Sequence, residues 1–427
     1  MPGRNASPST TGSWRSNGSS GPRLATPPAP GSAAGDARDA RVRPGSRTVH
    51  GGYRPGVRGS LAPPIFQTSV WVYGELEDYD AVARGDRPGH LYGRNSNENV
   101  AMLETALAEL EGAEAGVATS SGMAAILVAV RALAPKPAPI VAPLDLYGGT
   151  LALFRNELEP AGYALRLVDF DDQGALRKAL VGAGLALSET ITNPLVRVAD
   201  LPVVTRLAAE LGVPVLVDNT FATPILCRPL ELGATTVVHS VSKYIGGHSD
   251  LIAGVVLGSA ALTADARRRS VLLGTTLGPF EAWLAVRGLR TLALRMPRHS
   301  ASALQLAESL REAPGVNGVH YPTLSGVAQE EVSRRLLPDG AGGMLAIQLD
   351  GGRPAVQRLM ERLRMTTFAA SLGGVETTIS HPEVTSHRAL SAAERSALGI
   401  GPGTVRVSVG LEEPEDIVED FAQALSP

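Results

Sequence analysis

VPVLVDNTFATPILCRPLELGATTVVHSVSKYIGGHSD, residues 213–250, contains two short apolar runs that each lead into polar residues. VPVLV ends at Asp218, and TTVV leads into His239, Ser240, Ser242 and Lys243. Short continuous apolar runs bounded by glycine and proline predict strands buried on both faces of a mostly parallel sheet. In such a sheet functional groups gather beyond the carboxyl ends of the strands. Asp218 after an apolar run is either a turn or cap residue or the partner of a buried cation or protonated ring nitrogen. The 25 residues from Asp218 to Lys243 fit consecutive strands of one sheet.

Outward from this stretch the same alternation continues. Asn97 can cap a helix whose apolar face is Val100, Leu103, Leu107 and Leu110, with Gly112 as its stop. AGVATSS (115–121) reads as a strand running into Gly122 and an apolar helix. PIVAP (139–143), ALRLVDF (164–170), LALSET (185–190), VPVLVDN (213–219), TTVVHS (235–240) and IAGVVLG (252–258) read as further strands, with amphipathic helices such as 200–211 between the early ones. From about residue 295 longer helices mix with strands such as GGMLAIQL and TVRVSVGL. The fold class is α/β: a layered domain over 97–294 with helices on both faces of its sheet, and a smaller α+β domain over 295–427.

The first 47 residues hold 22 Gly, Pro or Ser, and residues 1–60 carry nine arginines against two aspartates. Such a segment cannot bury enough surface to offset chain entropy, so 1–47 is expected to be disordered. It lacks the apolar segment of a signal peptide, and no run in the chain approaches the ~20 apolar residues of a membrane helix. A cytoplasmic protein is expected, with no membrane partner. A net charge of −3 and a pI near 6.3 give no reason to expect nucleic acid. The single cysteine, Cys227, excludes an internal disulfide framework and a zinc site of several thiolates, and no metal is expected. It reads as a small buried hydrophobe.

Of the 39 basic residues only Lys136, Lys178 and Lys243 are lysines, so an amine nucleophile has three candidates. Lys136 sits in the loop PKPAP and Lys178 on a helix face beside Arg177; both read as solvated. Lys243 follows a strand, where burial can lower its pKa so that it attacks a carbonyl. Thr119, Ser120, Ser121 and Gly122 lie between a strand and a helix start, where free N–H groups and the helix dipole suit a phosphate, although ordinary capping explains them equally well. Lysine, carboxylate, serine hydroxyls and a phosphate-cradling turn together match what pyridoxal 5'-phosphate requires of a protein.

From Val49 to Leu425 the chain resembles the Cys/Met-metabolism family of pyridoxal phosphate enzymes, which includes cystathionine γ-synthase, cystathionine γ-lyase, methionine γ-lyase and O-acetylhomoserine sulfhydrylase. VHGG, APPIFQTS, LYGRNSN, ATSSGMAAI, LYGGT, ETITNP, VLVDNTFATP, SVSKYIGGHSD, ASLGGVETTISHP and VRVSVGLE carry the resemblance, in the family's order. It implies the fold of type I pyridoxal phosphate enzymes. It also implies a γ-replacement or γ-elimination on a homoserine-derived or sulfur amino acid, with methionine γ-lyase or O-acylhomoserine sulfhydrylase activity, or a specialised-metabolism γ-substitution, as alternatives; retention of the catalytic side chains speaks against a non-enzymatic cofactor-binding module.

The resemblance assigns roles. Lys243 holds the cofactor covalently and shuttles protons. Asp218 keeps the pyridine nitrogen protonated, and Tyr147 stacks on the ring and serves acid–base chemistry. Gly122, Met123, Ser240 and Ser242 bind the phosphate. Tyr92 and Arg94 reach the phosphate of a neighbouring subunit, so residues 48–96 form an arm across a dimer that shares its sites, and two dimers form a tetramer. Asn193 contacts the cofactor's phenolic oxygen and, with Arg406 and Ser371, the substrate carboxylate. His239 reads as a satisfied core residue, and His248, His381 and His387 receive no role.

Four positions depart from the family pattern. Ala370 stands where enzymes acting on cystathionine carry a glutamate, which removes a polar contact for the substrate's distal end. Gly149 stands where methionine γ-lyases carry a cysteine. Asn97-Glu98 replaces Asn-Pro, and Ile191 replaces a proline. None removes a catalytic group.

Overall fold

The computed structural model describes residues 43–53, 60–327 and 329–426. Most of the amino-terminal segment expected to be disordered therefore lies outside the described residues. The helix Pro44–His50 overlaps its last four residues, with Pro44 at the first turn and Thr48 buried. Proline is preset for that position because the first helical N–H groups have no intrahelical partner anyway.

Seven strands form the main sheet: β1 (Ala115–Thr119), β2 (Ile140–Pro143), β3 (Leu165–Val168), β4 (Leu185–Glu189), β5 (Val215–Asp218), β6 (Thr236–Ser240) and β7 (Gly254–Gly258). Their spatial order is β1-β7-β6-β5-β4-β2-β3. β2 to β6 run parallel to their neighbours within that block, whereas β7 is antiparallel to both β6 and β1. The continuous apolar runs have a direct cause. Val217, Val237 and Val255 belong to one hydrophobic core, and Leu216, Val238 and Val256 to a second on the other face. Helices cover both faces, so neither side of these strands meets water.

The helix Glu98–Glu111 begins as its sequence predicts. Asn97 caps it by accepting the N–H of Asn99, and Gly112 ends it with φ of 78°. Five further strands make the smaller sheet: β8 (Val316–His320), β9 (Met344–Leu349), β10 (Thr367–Phe368), β11 (Thr378–Ser380) and β12 (Thr404–Ser408), in the order β10-β11-β12-β9-β8. The helix Leu292–Leu310 spans the expected boundary between residues 294 and 295. It lies against both parts: Leu292, Met296, Ala303 and Leu306 share one core with Val237 of the large sheet and Val405 of the small one.

Candidate active site

β4, β5 and β6 end side by side at Glu189, Asp218 and Ser240, and the parallel arrangement delivers all three polar ends to one edge. Asp218 accepts the backbone N–H of Thr220 at 3.0 Å and its hydroxyl at 2.5 Å. Burial pushes its carboxyl above the usual range, while the Thr220 bonds and the nearby His239 pull it back down. Thr220 also accepts the N–H of Ser240 at 2.8 Å and so joins two strand ends.

The turn after β1 closes on the same edge. Ser121 caps the helix Gly122–Leu133 by accepting the N–H of Ala124 at 3.1 Å, and Gly122 and Met123 form its first turn. Gly122 is required by close approach, since a Cβ there would lie 2.7 Å from the Cβ of Ser240. The result is a cradle of helix N–H groups beside a serine hydroxyl, a geometry suited to a phosphate. Ser242 is engaged elsewhere: its hydroxyl donates to Ala253 O at 3.2 Å and accepts the Ala253 N–H at 3.0 Å.

Lys243 lies three residues past β6, and its Nζ donates to Ser371 Oγ at 2.7 Å. Burial, reinforced by the charge of Arg406, lowers its pKa from 10.5 to about 8. Ser371 sits at φ of 90°, an unusual conformation for a residue with a Cβ. Its carbonyl accepts Arg406 Nη2 at 2.7 Å, while Arg406 Nη1 donates to Asn193 Oδ1 at 3.2 Å. Arg406, in β12, is 5% exposed, and its Nε is buried without a hydrogen-bond partner. A carboxylate entering beside it would meet a donor already stripped of water.

Tyr147 precedes the helix Gly148–Leu153, and its N–H donates to Glu189 Oε1 at 2.9 Å. Burial raises the phenol's pKa, and the Arg406 charge opposes that rise. Lys243, Asp218, Tyr147, Ser240, Gly122, Asn193, Ser371 and Arg406 thus converge from both sheets. Tyr92 and Arg94 do not join them: Tyr92 is 43% exposed, and Arg94 lies over its ring at 5.5 Å and donates to Val271 O at 3.0 Å.

Two residues here escaped the sequence reading. Thr220 links the ends of β5 and β6. Glu189 is buried, and first burial and then the charge of Asp218 raise its pKa well above the usual carboxylate range. Its place at the end of an apolar run, like that of Asp218, was the available signal.

His239 is fully buried with Nε2 2.8 Å from Glu111 Oε2, an interior pair on the face away from the phosphate cradle. His381 bonds Thr404 O, and His248 bonds Gly246 O. Cys227 is 6% exposed, and burial, then Glu111 and Glu231, push its thiol up to about 12. Among the described residues no cluster of His, Cys, Asp and Glu could hold a metal ion.

The donor set fits pyridoxal 5'-phosphate. It offers an amine of lowered pKa, a half-buried carboxylate and a phosphate cradle at one edge of the sheet. The family model for Cys/Met metabolism PLP-dependent enzymes matches residues 45–426. L-methionine gamma-lyase of Pseudomonas putida is 40% identical over 384 residues, which cover 89% of this chain and 96% of that protein. O-succinylhomoserine sulfhydrylase of Pseudomonas aeruginosa is 38% identical, over 88% of this chain and 94% of its own. The crystal structure of cystathionine gamma synthase from Xanthomonas oryzae pv. oryzae in complex with cystathionine aligns with a TM-score of 0.85 at 37% identity, over 90% of this chain and 98% of that one. The chain belongs to the Cys/Met metabolism family of pyridoxal phosphate-dependent enzymes, with the type I fold and the cofactor of that family.

Proposed function

We propose that this enzyme breaks or exchanges the bond at the γ-carbon of a homoserine-derived or sulfur amino acid, the trans-sulfuration type of reaction. The observation that carries the reading is Ser371. Its hydroxyl takes Lys243 and its carbonyl takes Arg406, so the amine and the guanidinium stand one residue apart. An α-amino acid presents an amino group and a carboxylate at a comparable spacing.

Pyridoxal phosphate supplies an electron sink that makes protons on the substrate's carbon chain removable. The remaining work falls to the chain. Arg406, with Asn193 and Ser371, grips the substrate carboxylate and fixes which end of the substrate faces Lys243. Lys243 anchors the cofactor and carries a proton between Cα and Cβ; a pKa of about 8 lets the free amine exist near neutral pH. Asp218 would hold the ring nitrogen in its protonated form. Tyr147, whose phenol burial keeps protonated, would hold the ring and supply a proton to the departing group. Gly122, Met123, Ser240 and Ser242 hold the phosphate, for which Ser242 must turn its hydroxyl from Ala253.

Tyr92 and Arg94 act on the partner's phosphate in a homodimer that shares its sites, two dimers making a tetramer. Their separation from Lys243 supports this, as do the exposed Val70, Val72, Leu76 and Tyr79 along the same segment. A cytoplasmic location belongs to the same proposal. Among the described residues no helix is long and apolar enough to cross a membrane.

A substrate panel tests the reading: O-succinylhomoserine, O-acetylhomoserine, cystathionine, homocysteine and methionine, each with and without cysteine. Keto acid release without a thiol identifies elimination, and a thioether product with cysteine identifies replacement. Ala370, exposed beside Ser371, offers only a methyl group to the substrate's distal end, so cystathionine is expected to be a poorer substrate than the others. No turnover of any member by the cofactor-loaded enzyme overturns the proposal.

A further inference from the structure

Lys243 and Arg406 belong to different layers, one after β6 of the large sheet and the other in β12 of the small one. One link between them passes through Ser371, and a substrate must break into it. A second link runs beneath and is sealed from solvent. Tyr244, the residue after Lys243, is fully buried, and its hydroxyl accepts the backbone N–H of Gly343 at 3.0 Å. Gly343 directly precedes β9, which pairs with β12 so that Ala346 faces Arg406. The carbonyl of Gly343 also accepts the N–H of Val409, just past β12, at 2.8 Å.

Neighbouring groups hold this junction from both sides. The His299 ring meets the Tyr244 ring edge-on at 5.1 Å and bonds the Val409 carbonyl at 2.8 Å. Arg295, 5% exposed, donates to the carbonyls of Tyr244 at 2.6 Å, Ile245 at 3.3 Å and Gly288 at 2.9 Å. Its charge is solvated by the turn that carries Lys243. Close approach requires glycine at 343, where a Cβ would lie 3.0 Å from the Tyr244 hydroxyl and 2.8 Å from Val409 O.

We propose that Tyr244 is a positioning residue that sets the spacing between the Lys243 amine and the Arg406 guanidinium, and thereby selects substrates whose amino group and carboxylate match it. The inference rests on the reading that both groups engage one substrate. Without the hydroxyl, the Gly343 N–H loses its partner and the lysine turn loses its register with β12. A misplacement of about 1 Å at a reacting group can cost on the order of 100-fold in rate.

The test compares wild-type holoenzyme with Tyr244→Phe, using calorimetric titration of two probes. L-2-aminopentanoate carries both the amino group and the carboxylate and has no leaving group at the γ-carbon; pentanoate carries the carboxylate alone. Tyr244→Phe is expected to weaken the amino acid roughly 10-fold while pentanoate stays within roughly twofold, since only the amino acid's nitrogen would have to take the place of the Lys243 nitrogen while its carboxylate meets Arg406. If Tyr244→Phe does not fold, Arg295→Lys, which keeps the charge but loses the fork, is expected to give the same split. Equal weakening of both probes, or weakening of neither, overturns the inference. A wild-type enzyme that binds pentanoate but not the amino acid overturns the one-substrate reading and this inference with it. Binding of both probes without a split in the variants overturns the inference alone.

Discussion

Glu189 and Asp218 are register partners at the carboxyl ends of two adjacent parallel strands, so a buried and a half-buried carboxylate sit side by side. Like charges so placed cannot both be ionised cheaply. The surroundings separate them. Asp218 receives two donors from Thr220 and the field of His239, whereas burial, and then the charge of Asp218, push Glu189 toward its protonated form.

That division predicts unequal mutants. Glu189→Gln resembles a protonated Glu189 and can still accept the Tyr147 N–H. It is expected to keep turnover within about tenfold of wild type, whereas Asp218→Asn, which removes the charge proposed to pair with the cofactor's ring nitrogen, is expected to lose about 100-fold or more in kcat. Steady-state kinetics of both variants, with cofactor content measured alongside, checks the order. A reversed order refutes the assignment of charge.

Lys243 links stability to pH in the cofactor-free protein. Its pKa falls from 10.5 unfolded to about 8 folded, so between those values the unfolded chain binds more protons and stability rises with pH. Below about 8 the full penalty for a buried cation is present. Lys243→Met is therefore expected to melt higher than wild-type apoprotein at pH 7, and the gap is expected to close as pH approaches 10. Melting curves at both pH values measure it, and a gap of the opposite sign at pH 7 contradicts the argument. In the loaded enzyme the same substitution, or Lys243→Ala, is expected to lower turnover more than about 1000-fold.

Two buried histidines weigh against stability in acid. Burial lowers both His299 and His387 from 6.5 to about 4, and charges of Arg295 near the first and of Arg406 and Arg395 near the second add to it. From pH 6.5 down to about 4 the unfolded chain takes protons that these two folded-state rings refuse, so their contribution to stability falls across that window. Glu104, Glu111, Glu189 and Asp218, raised chiefly by burial, act in the opposite sense, so the expected outcome is a difference: His387→Gln gains stability relative to wild type as pH falls from 6.5 to about 4, measured by denaturant midpoints. An unchanged difference across that window would assign any acid loss to other groups.

Subunit mixing tests the shared site. Arg94→Ala is expected to weaken cofactor retention by about 1.5–3 kcal/mol, as for a lost charge-assisted hydrogen bond. When Arg94→Ala and Lys243→Ala proteins exchange subunits, one site of each mixed dimer receives both lesions and the other none. Activity is expected to return, up to about half of wild type per mixed dimer. Demonstrated exchange without recovery would place Arg94 in service of its own chain.

The sequence carried the large sheet well because its strands are buried on both faces and so read as unbroken apolar runs. The antiparallel β7 was not legible, since IAGVVLG looks the same in either direction. The helix Pro44–His50 was hidden in a Gly/Pro/Ser/Arg-rich stretch because it buries little and is held by packing onto longer helices. In the site, Lys243 and Asp218 stood out by chemistry alone. Arg406 and Ser371 did not, because each works through distant partners. Glu189 and Tyr244 went unassigned for a related reason: a carboxylate in ETITNP or a tyrosine after a lysine means little until a register or a buried junction gives it a neighbour.

Cys227 has a practical consequence for following the reaction. A thiol with a pKa near 12 is thiolate in only about one molecule in ten thousand at pH 8, and this one is also walled in. Disulfide dyes that report released mercaptans can therefore stay in the cuvette throughout a run, because the catalyst gives them almost nothing to react with. For the same reason a cysteine placed by design on the surface becomes a unique attachment point for a fluorophore or spin label, with no native thiol to remove first.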